Sequence, residues 1–174
     1  EHGSNSSIFS TNFRYFMNTY SNLNTPPVYT LNDNNGKVLV TLLDNEPLKE
    51  KLSKLDMPQR ELFQFTTSNG TQLNGWMVKP SHFDPSKKYP VIMYQYSGPG
   101  SQMVKDSWNV GGKGEGCIWE AYLAQEGFIS VCVDGRGTGG RGAEFEKCTY
   151  LNLGVKEAQD QVEAAKYLGS LPYI

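Results

Sequence analysis

The sequence lacks the features that several functional classes require. Its 16 lysine and arginine residues do not outnumber its 18 aspartate and glutamate residues, and the net charge is −2. Nucleic acids and anionic membranes are bound by clustered basic faces, so neither is an expected partner. No apolar run reaches about 18 residues, the length that indicates a membrane-spanning helix. The composition therefore favours a globular domain.

Cysteine and histidine are also scarce. Cys117, Cys132 and Cys148 are far apart, no C-x-x-C pair exists, and the only histidines are His2 and His82. A zinc site needs several correctly spaced ligands, so no metal site is predicted, and no cofactor is expected. Cys132 lies inside an apolar run, which favours a small buried hydrophobic residue over a nucleophile paired with His82.

The G-x-S-x-G motif, on which many serine hydrolases mount their nucleophile, is also absent. Two segments typical of the floor and oxyanion side of a serine-hydrolase pocket are nevertheless present, at residues 89–99 and 128–137. Ser97 and Ser101 are poor substitutes for the nucleophile, because neither has the glycine spacing of that motif. The sequence therefore predicts a piece of an enzyme, which carries part of an active site without the nucleophile and ends at Ile174.

The residues that are present, 38% hydrophobic and 12% aromatic, suffice for a packed core. Aromatic and β-branched runs at residues 8–20, 27–32 and 36–42 predict consecutive antiparallel strands, and Asn35-Gly36 indicates a hairpin turn. Two or three such strands cannot bury both faces, so we expect them to belong to a larger sheet.

A short helix is predicted over residues 44–54. Asp44 or Asn45 can cap it, and Pro47 suits its first turn. It should end before Met57-Pro58, because the residue ahead of a proline is disfavoured in the helical region.

The pattern then changes to a second hairpin followed by alternating strands and helices. The hairpin pairs residues 61–67 with 71–78, and the later elements are strands at 91–96 and 128–133 and helices at 119–125 and 156–171. This alternation implies a mostly parallel sheet covered on both faces.

Helical spacing also predicts which faces of these two helices are buried. In the first helix, Trp119, Tyr122 and Leu123 share one apolar side. In the second helix, the predicted buried residues are Val162, Ala165, Leu168 and Leu171, and the predicted solvated residues are Glu157, Asp160 and Glu163.

Residues 137–142 match the G-x-G-x-x-G pattern of dinucleotide-binding loops. That function needs an acidic residue at the end of the next strand, whereas Glu157 and Asp160 lie on a predicted helix. A turn that shapes the fold is therefore favoured. In the same turn, Asp134, Arg136 and Arg141 form a charged cluster. We expect Arg136 to clamp loop carbonyls or to pair with a carboxylate, with substrate contact as the alternative.

Several segments together resemble the prolyl oligopeptidase family of serine peptidases. They are residues 57–58, 80–90, 96–102, 134–139 and 160–165. The similarity is strong from about Leu55 onward and weaker before it. It implies an α/β fold in which a partial α/β-hydrolase sheet follows terminal β-propeller strands. The implied regions are propeller strands at 1–43, a linker helix at 44–55 and the N-terminal half of an α/β-hydrolase domain at 56–174.

The resemblance implies an enzyme that removes dipeptides with proline or alanine in second position from peptides with a free amino terminus. Tyr96 would be the oxyanion-hole side-chain donor, and the nucleophile, base and acid would lie beyond Ile174, which leaves the chain alone inactive. The alternatives are a non-catalytic interaction protein and an oligopeptidase or acylaminoacyl peptidase of the family. The resemblance also implies a homodimer and leans toward export, and the unfinished sheet predicts self-association of the chain.

Overall fold

The computed structural model describes residues 2–108 and 118–174, so Cys117 lies outside the described residues. The chain forms two compact units. One contains the described residues of Glu1–Met57 and Lys105–Val110, and the other those of Pro58–Val104 and Gly111–Ile174. Among the described residues, no helix combines the length and apolarity needed to cross a bilayer.

The first unit is built on an antiparallel sheet in which each strand pairs with the next along the chain. The strands are β1 (Ser4–Phe9), β2 (Tyr15–Asn22), β3 (Thr25–Asp33) and β4 (Val38–Leu43). Asp33 N donates to Lys37 O, and Gly36 adopts a φ of +85° between them, a conformation that glycine tolerates best. The predicted antiparallel pairing and the hairpin at Asn35-Gly36 are therefore confirmed.

The run at residues 8–20, in contrast, is not one strand. A turn separates β1 from β2, because Ser10 N donates to Tyr15 O and Phe13 N donates to Ser10 O, both at 2.9 Å. The side chain of Asn12 accepts from Arg14 N at 3.1 Å. Short polar side chains that bond to nearby backbone favour turns, and here they override the strand preference of the aromatic residues.

The short helix predicted over residues 44–54 is confirmed as α1 (Glu46–Leu52). Asn45 occupies the N-cap with a φ of +57°, but its side chain donates to Pro27 O at 2.6 Å instead of capping the helix. The Asp44 carboxylate accepts from Glu46 N at 3.0 Å, so Asp44 supplies the side-chain contact at this end.

The second unit contains a four-stranded sheet with the order β5-β6-β8-β7. Its elements are β5 (Arg60–Thr66), β6 (Gln72–Val78), β7 (Val91–Tyr94), α2 (Ile118–Gln125), β8 (Ile129–Asp134), α3 (Ala143–Lys147) and α4 (Val155–Gly169). The prediction of a mostly parallel sheet is wrong for the described strands. Only β7 and β8 are parallel, because the β5–β6 hairpin joins β8 through an antiparallel pair.

The core of this unit lies on β8, whose residues are all buried. Side chains of β5, β6 and α4 pack on it, and the Phe65 and Tyr167 rings stack with centroids 4.6 Å apart. Fully burying one such large apolar side chain contributes about 1.5–3 kcal/mol. The apolar run that predicted β8 therefore also predicted the centre of the core.

The predicted apolar side of α2 is only partly confirmed, because Leu123 is buried but the two aromatic residues are not. Trp119 and Tyr122 are 56% and 52% exposed and stack on each other, with ring centroids 5.9 Å apart. The buried side instead includes Glu120, which pairs with Arg60 of β5 at 3.5 Å. Because Arg60 also lies over the Trp76 ring, 4.6 Å from its centroid, this charged pair is packed inside the unit.

The predicted faces of α4 are only partly confirmed, because Leu168 is buried as predicted but the first half of the helix differs. Glu157 and Asp160 are buried, whereas Val162 is 55% exposed. Both carboxylates have partners: Glu157 accepts from Gly154 N at 2.9 Å, and Asp160 binds Arg136. Buried charge is tolerated when it is paired and hydrogen-bonded, so polar partners decide the orientation of the first half of the helix.

Glu163 provides a pH-dependent link between α4 and the β5–β6 turn. Its carboxylate accepts from Ser68 N at 2.8 Å and from Lys166 Nζ at 3.0 Å. The hydrogen bonds, chiefly that from Ser68 N, lower the pKa of Glu163 from 4.5 to about 2. A folded-state pKa below the unfolded value gives stabilisation that is complete above about pH 4.5 and lost as the pH falls toward 2.

We predict that Glu163→Gln lowers the stability of the chain at pH 7 and flattens its stability profile below about pH 5. Urea denaturation followed by tryptophan fluorescence between pH 7 and pH 2.5 measures both effects. Glu126→Gln, at an exposed position near the end of α2, is the matched control. Parallel stability profiles for the parent chain and Glu163→Gln would contradict the assignment.

Candidate functional site

Tyr96 lies just beyond the carboxyl end of β7 and is 64% exposed. Because β7 and β8 run parallel, the loops that follow them leave the same edge of the sheet. Tyr96 lines an open cavity of about 460 Å³ at this edge, together with the loop at residues 97–101, Leu153, Gly154 and Glu157. The structure therefore places the predicted donor at the edge where open α/β sheets bind ligands.

The loop after Tyr96 is held by its own hydrogen bonds. Ser101 Oγ donates to Gly98 O at 2.7 Å, and Ser101 N donates to the same oxygen at 3.2 Å. Gly98 and Gly100 have φ values of +109° and +79°, which explains the need for glycine. Gly100 N also donates to the Glu146 carboxylate at 3.1 Å. The floor of the cavity is therefore a folded turn.

The loop after β8 is fixed by a buried ion pair. Arg136 Nη2 donates to Asp160 Oδ1 at 2.7 Å, Arg136 Nε contacts both carboxylate oxygens at 3.0–3.1 Å, and Arg136 N donates to Oδ2 at 2.6 Å. These hydrogen bonds raise the pKa of Arg136, and the Asp160 side chain is fully buried. The predicted pairing of Arg136 with a carboxylate is confirmed.

Asp134 and Arg141, the other two members of the predicted charged cluster, bind different partners. Asp134 accepts from the backbone amides of Met103 and Val104. Arg141 donates to Gln72 O, and its guanidinium lies 4.2 Å from the centroid of the Phe145 ring. The three side chains are thus separate anchors of one turn, which sequence proximity alone did not indicate.

The glycine-rich turn at residues 137–142 is shaped by packing. A Cβ at Gly137 would lie 2.9 Å from the Thr149 side chain, and one at Gly135 would lie 3.0 Å from Asp160. The turn is followed by α3, which has five residues. Glu157 and Asp160 lie on α4, as predicted. Glu157 accepts a hydrogen bond from Gly154 N, and Asp160 forms an ion pair with Arg136. Neither carboxylate is placed for a dinucleotide ribose.

Cys132 lies in the middle of β8, where burial first and the Asp134 charge second raise the pKa of its thiol to about 12. Such a thiol stays protonated at neutral pH and is a poor nucleophile. Its prediction as a buried hydrophobic residue is confirmed, and His82 lies in the exposed loop before β7. Within residues 2–108 and 118–174, no group of histidine, cysteine and acidic side chains is arranged to hold a metal ion.

A second cavity, of about 570 Å³, lies beside β7 and was not predicted from the sequence. Its walls include Met93, Ala158, Val162 and Ala165 and are mostly apolar. Among the described strands, β7 pairs only with β8, so its other edge is open. The open edge explains why Val162 and Ala165, which were predicted to be buried, are exposed.

Residues 117–174 match the model of the prolyl oligopeptidase family. A probable dipeptidyl-aminopeptidase B of Sclerotinia sclerotiorum is 37% identical over 95% of the chain, and a probable dipeptidyl peptidase 4 of Aspergillus flavus is 32% identical over 97%. The chain spans 18% and 22% of the lengths of these two relatives.

The crystal structure of Porphyromonas gingivalis dipeptidyl peptidase 4 is similar with a TM-score of 0.91 and 47% identity. The similarity covers 99% of the chain and 24% of that structure. The predicted fold class, a partial α/β-hydrolase sheet preceded by terminal β-propeller strands, is thereby confirmed.

We predict that Arg136→Ala destabilises the chain by about 3 kcal/mol or more, because it leaves the Asp160 carboxylate buried without its counter-charge. Arg136→Lys should recover only part of this loss, since an ammonium group cannot reproduce the two-pronged contact. Lys147→Ala, at an exposed position in the same region, is the control. Urea denaturation measures the three variants, and a loss below about 1 kcal/mol for Arg136→Ala would contradict the prediction.

Proposed function

Because the chain belongs to the prolyl oligopeptidase family, we propose that it is part of a serine dipeptidyl peptidase. The substrates are peptides with a free amino terminus, from which the enzyme removes dipeptides that have proline or alanine in second position. The position of Tyr96 carries the proposal, since its side chain is exposed in a cavity at the carboxyl edge of the sheet.

The proposed role of Tyr96 is to donate its phenolic hydrogen to the oxyanion that forms when the scissile carbonyl is attacked. Preorganised donors of this kind contribute about 10²–10³ to turnover. A phenol suits the role, because its hydroxyl can donate a hydrogen bond and it precedes a turn that is held by hydrogen bonds. The 174 residues contain no G-x-S-x-G motif. The proposed serine, histidine and aspartate therefore belong to other parts of the same enzyme.

We propose that three regions make up the chain. Residues 1–43 are terminal propeller strands, supported by the antiparallel sheet β1 to β4. Residues 44–55 are a linker, supported by α1. Residues 56–174 are the first half of a hydrolase domain, supported by the start of the second compact unit at Pro58.

We predict that Tyr96→Phe in the full-length enzyme lowers kcat by about 10²-fold and leaves thermal stability unchanged, because only the hydroxyl donor is lost. Hydrolysis of a proline-containing dipeptidyl anilide measures the effect. Tyr122→Phe, at another exposed tyrosine, is the control and should keep full activity. The 174-residue chain alone serves as the blank and should not cleave the substrate. Unchanged kinetics for Tyr96→Phe would remove this tyrosine from the mechanism.

We propose that the enzyme is a homodimer and that the isolated chain self-associates. The support for self-association is β4, an edge strand whose residues are all exposed and include Val38, Leu39, Val40, Leu42 and Leu43. Exposed apolar edge strands tend to pair with other chains.

Light scattering of the isolated chain should show a mass above 19.4 kDa that rises with concentration. Val40→Lys, which places a charge on the edge strand, should lower the mass toward that of the monomer. A monomer at every concentration would contradict the proposal.

A further inference from the structure

The loop that carries Tyr96 continues into Met103 and Val104, whose backbone amides bind a buried side chain of the second unit. Asp134, the last residue of β8, is 4% exposed. Its Oδ1 accepts from Met103 N at 3.0 Å, and its Oδ2 accepts from Met103 N at 3.1 Å and from Val104 N at 2.8 Å. Hydrogen bonds to a charged acceptor are about twice as strong as neutral ones.

A second contact from the sheet reaches the same segment. Trp76 of β6 is fully buried, and its Nε1 donates to Met103 O at 3.3 Å. The N–H and the C=O of Met103 are therefore bound by side chains of two adjacent strands, which are paired in register at Asn74 and Asp134. Both anchoring side chains stand on rigid, paired backbone.

The turn between Tyr96 and Met103 has its own cross-links, which transmit this anchoring. Gly139 N, in the loop after β8, donates to Ser101 O at 2.8 Å, and Ser101 Oγ donates to Gly98 O at 2.7 Å. Tyr96 itself follows β7, whose last strand residue is Tyr94. The turn is thus fixed at β7 on one side and at Asp134 on the other.

We propose that Asp134 is a positioning residue for Tyr96, which acts by fixing the turn at residues 97–104 through the Met103 and Val104 amides. The proposal rests on the proposed function of Tyr96 as an oxyanion donor. A donor that is misplaced by about 1 Å can cost about 10²-fold in rate, so a loosened turn should lower turnover without removing any group that touches substrate.

The test is a double-mutant cycle in the full-length enzyme, with Asp134→Asn, Tyr96→Phe and the double variant. Asparagine keeps the size of the side chain and one acceptor oxygen but removes the charge. Asp134→Asn should lower kcat for a proline-containing dipeptidyl anilide by about 10-fold or more, with KM changed by less than about threefold. In the Tyr96→Phe background it should cause no further loss, because the group that it positions is already gone.

An exchange measurement tests the anchoring without using activity. In the 174-residue chain, Asp134→Asn should raise hydrogen exchange at the Met103 and Val104 amides by about 10-fold relative to the amides of β8. Asp84→Asn is the matched control, since that carboxylate accepts from Ser86 N in the loop before β7. If Asp134→Asn does not fold, Trp76→Phe, which removes the indole donor to Met103 O together with part of the buried ring, carries the same two tests.

The outcomes separate this proposal from the proposed function. If Tyr96→Phe lowers kcat as predicted but Asp134→Asn lowers kcat equally in both backgrounds, the positioning role alone is overturned. Unchanged hydrogen exchange at the Met103 and Val104 amides would overturn it as well. Unchanged kinetics for Tyr96→Phe would overturn the proposed function and, with it, the link between Asp134 and catalysis. If Asp134→Asn lowers kcat only when Tyr96 is present, and hydrogen exchange at Met103 and Val104 becomes faster, both proposals are supported.

Discussion

The second unit depends on one strand, β8, which is buried along its whole length and paired on both sides. A strand in this position has no solvated face, so it is mostly apolar and cannot shift register without exposing core residues. Its carboxyl end is consequently a fixed point. Asp134 at that end and Arg136 just beyond it therefore hold neighbouring segments in defined places.

Buried charged side chains of this unit are structural because each has a partner. Asp160 is fully buried against Arg136, and Glu120 is buried beside Arg60. Burying an unpaired charge would cost several kcal/mol, so these pairs specify how α2 and α4 dock on the sheet. Tyr96 differs, because its side chain is exposed at an edge where several neighbouring groups are anchored. An exposed phenol beside anchored groups agrees with the proposed role of a residue that contacts substrate.

Much of the fold could be predicted because local signals agree with the final contacts. The apolar run at residues 128–133 became β8, and Asn35-Gly36 and Ser68-Asn69-Gly70 became hairpin turns. The helix faces could be predicted only in part, since periodicity counts an aspartate as a solvent-facing residue. Asp160 is buried because an arginine 24 positions earlier reaches it, and Val162 is exposed because β7 has an open edge. Such partners are distant in sequence.

The sequence by itself determined the order and type of the elements, the turn positions and the family resemblance that singles out Tyr96. These follow from residue types a few positions apart. Only the tertiary structure decided that Met103 and Val104 meet Asp134, that Asp160 faces inward and that Tyr96 stands in an open cavity. The physical reason is that burial and hydrogen bonding of a polar side chain depend on which strands become neighbours, and the β5-β6-β8-β7 order brings together segments that are far apart in the chain.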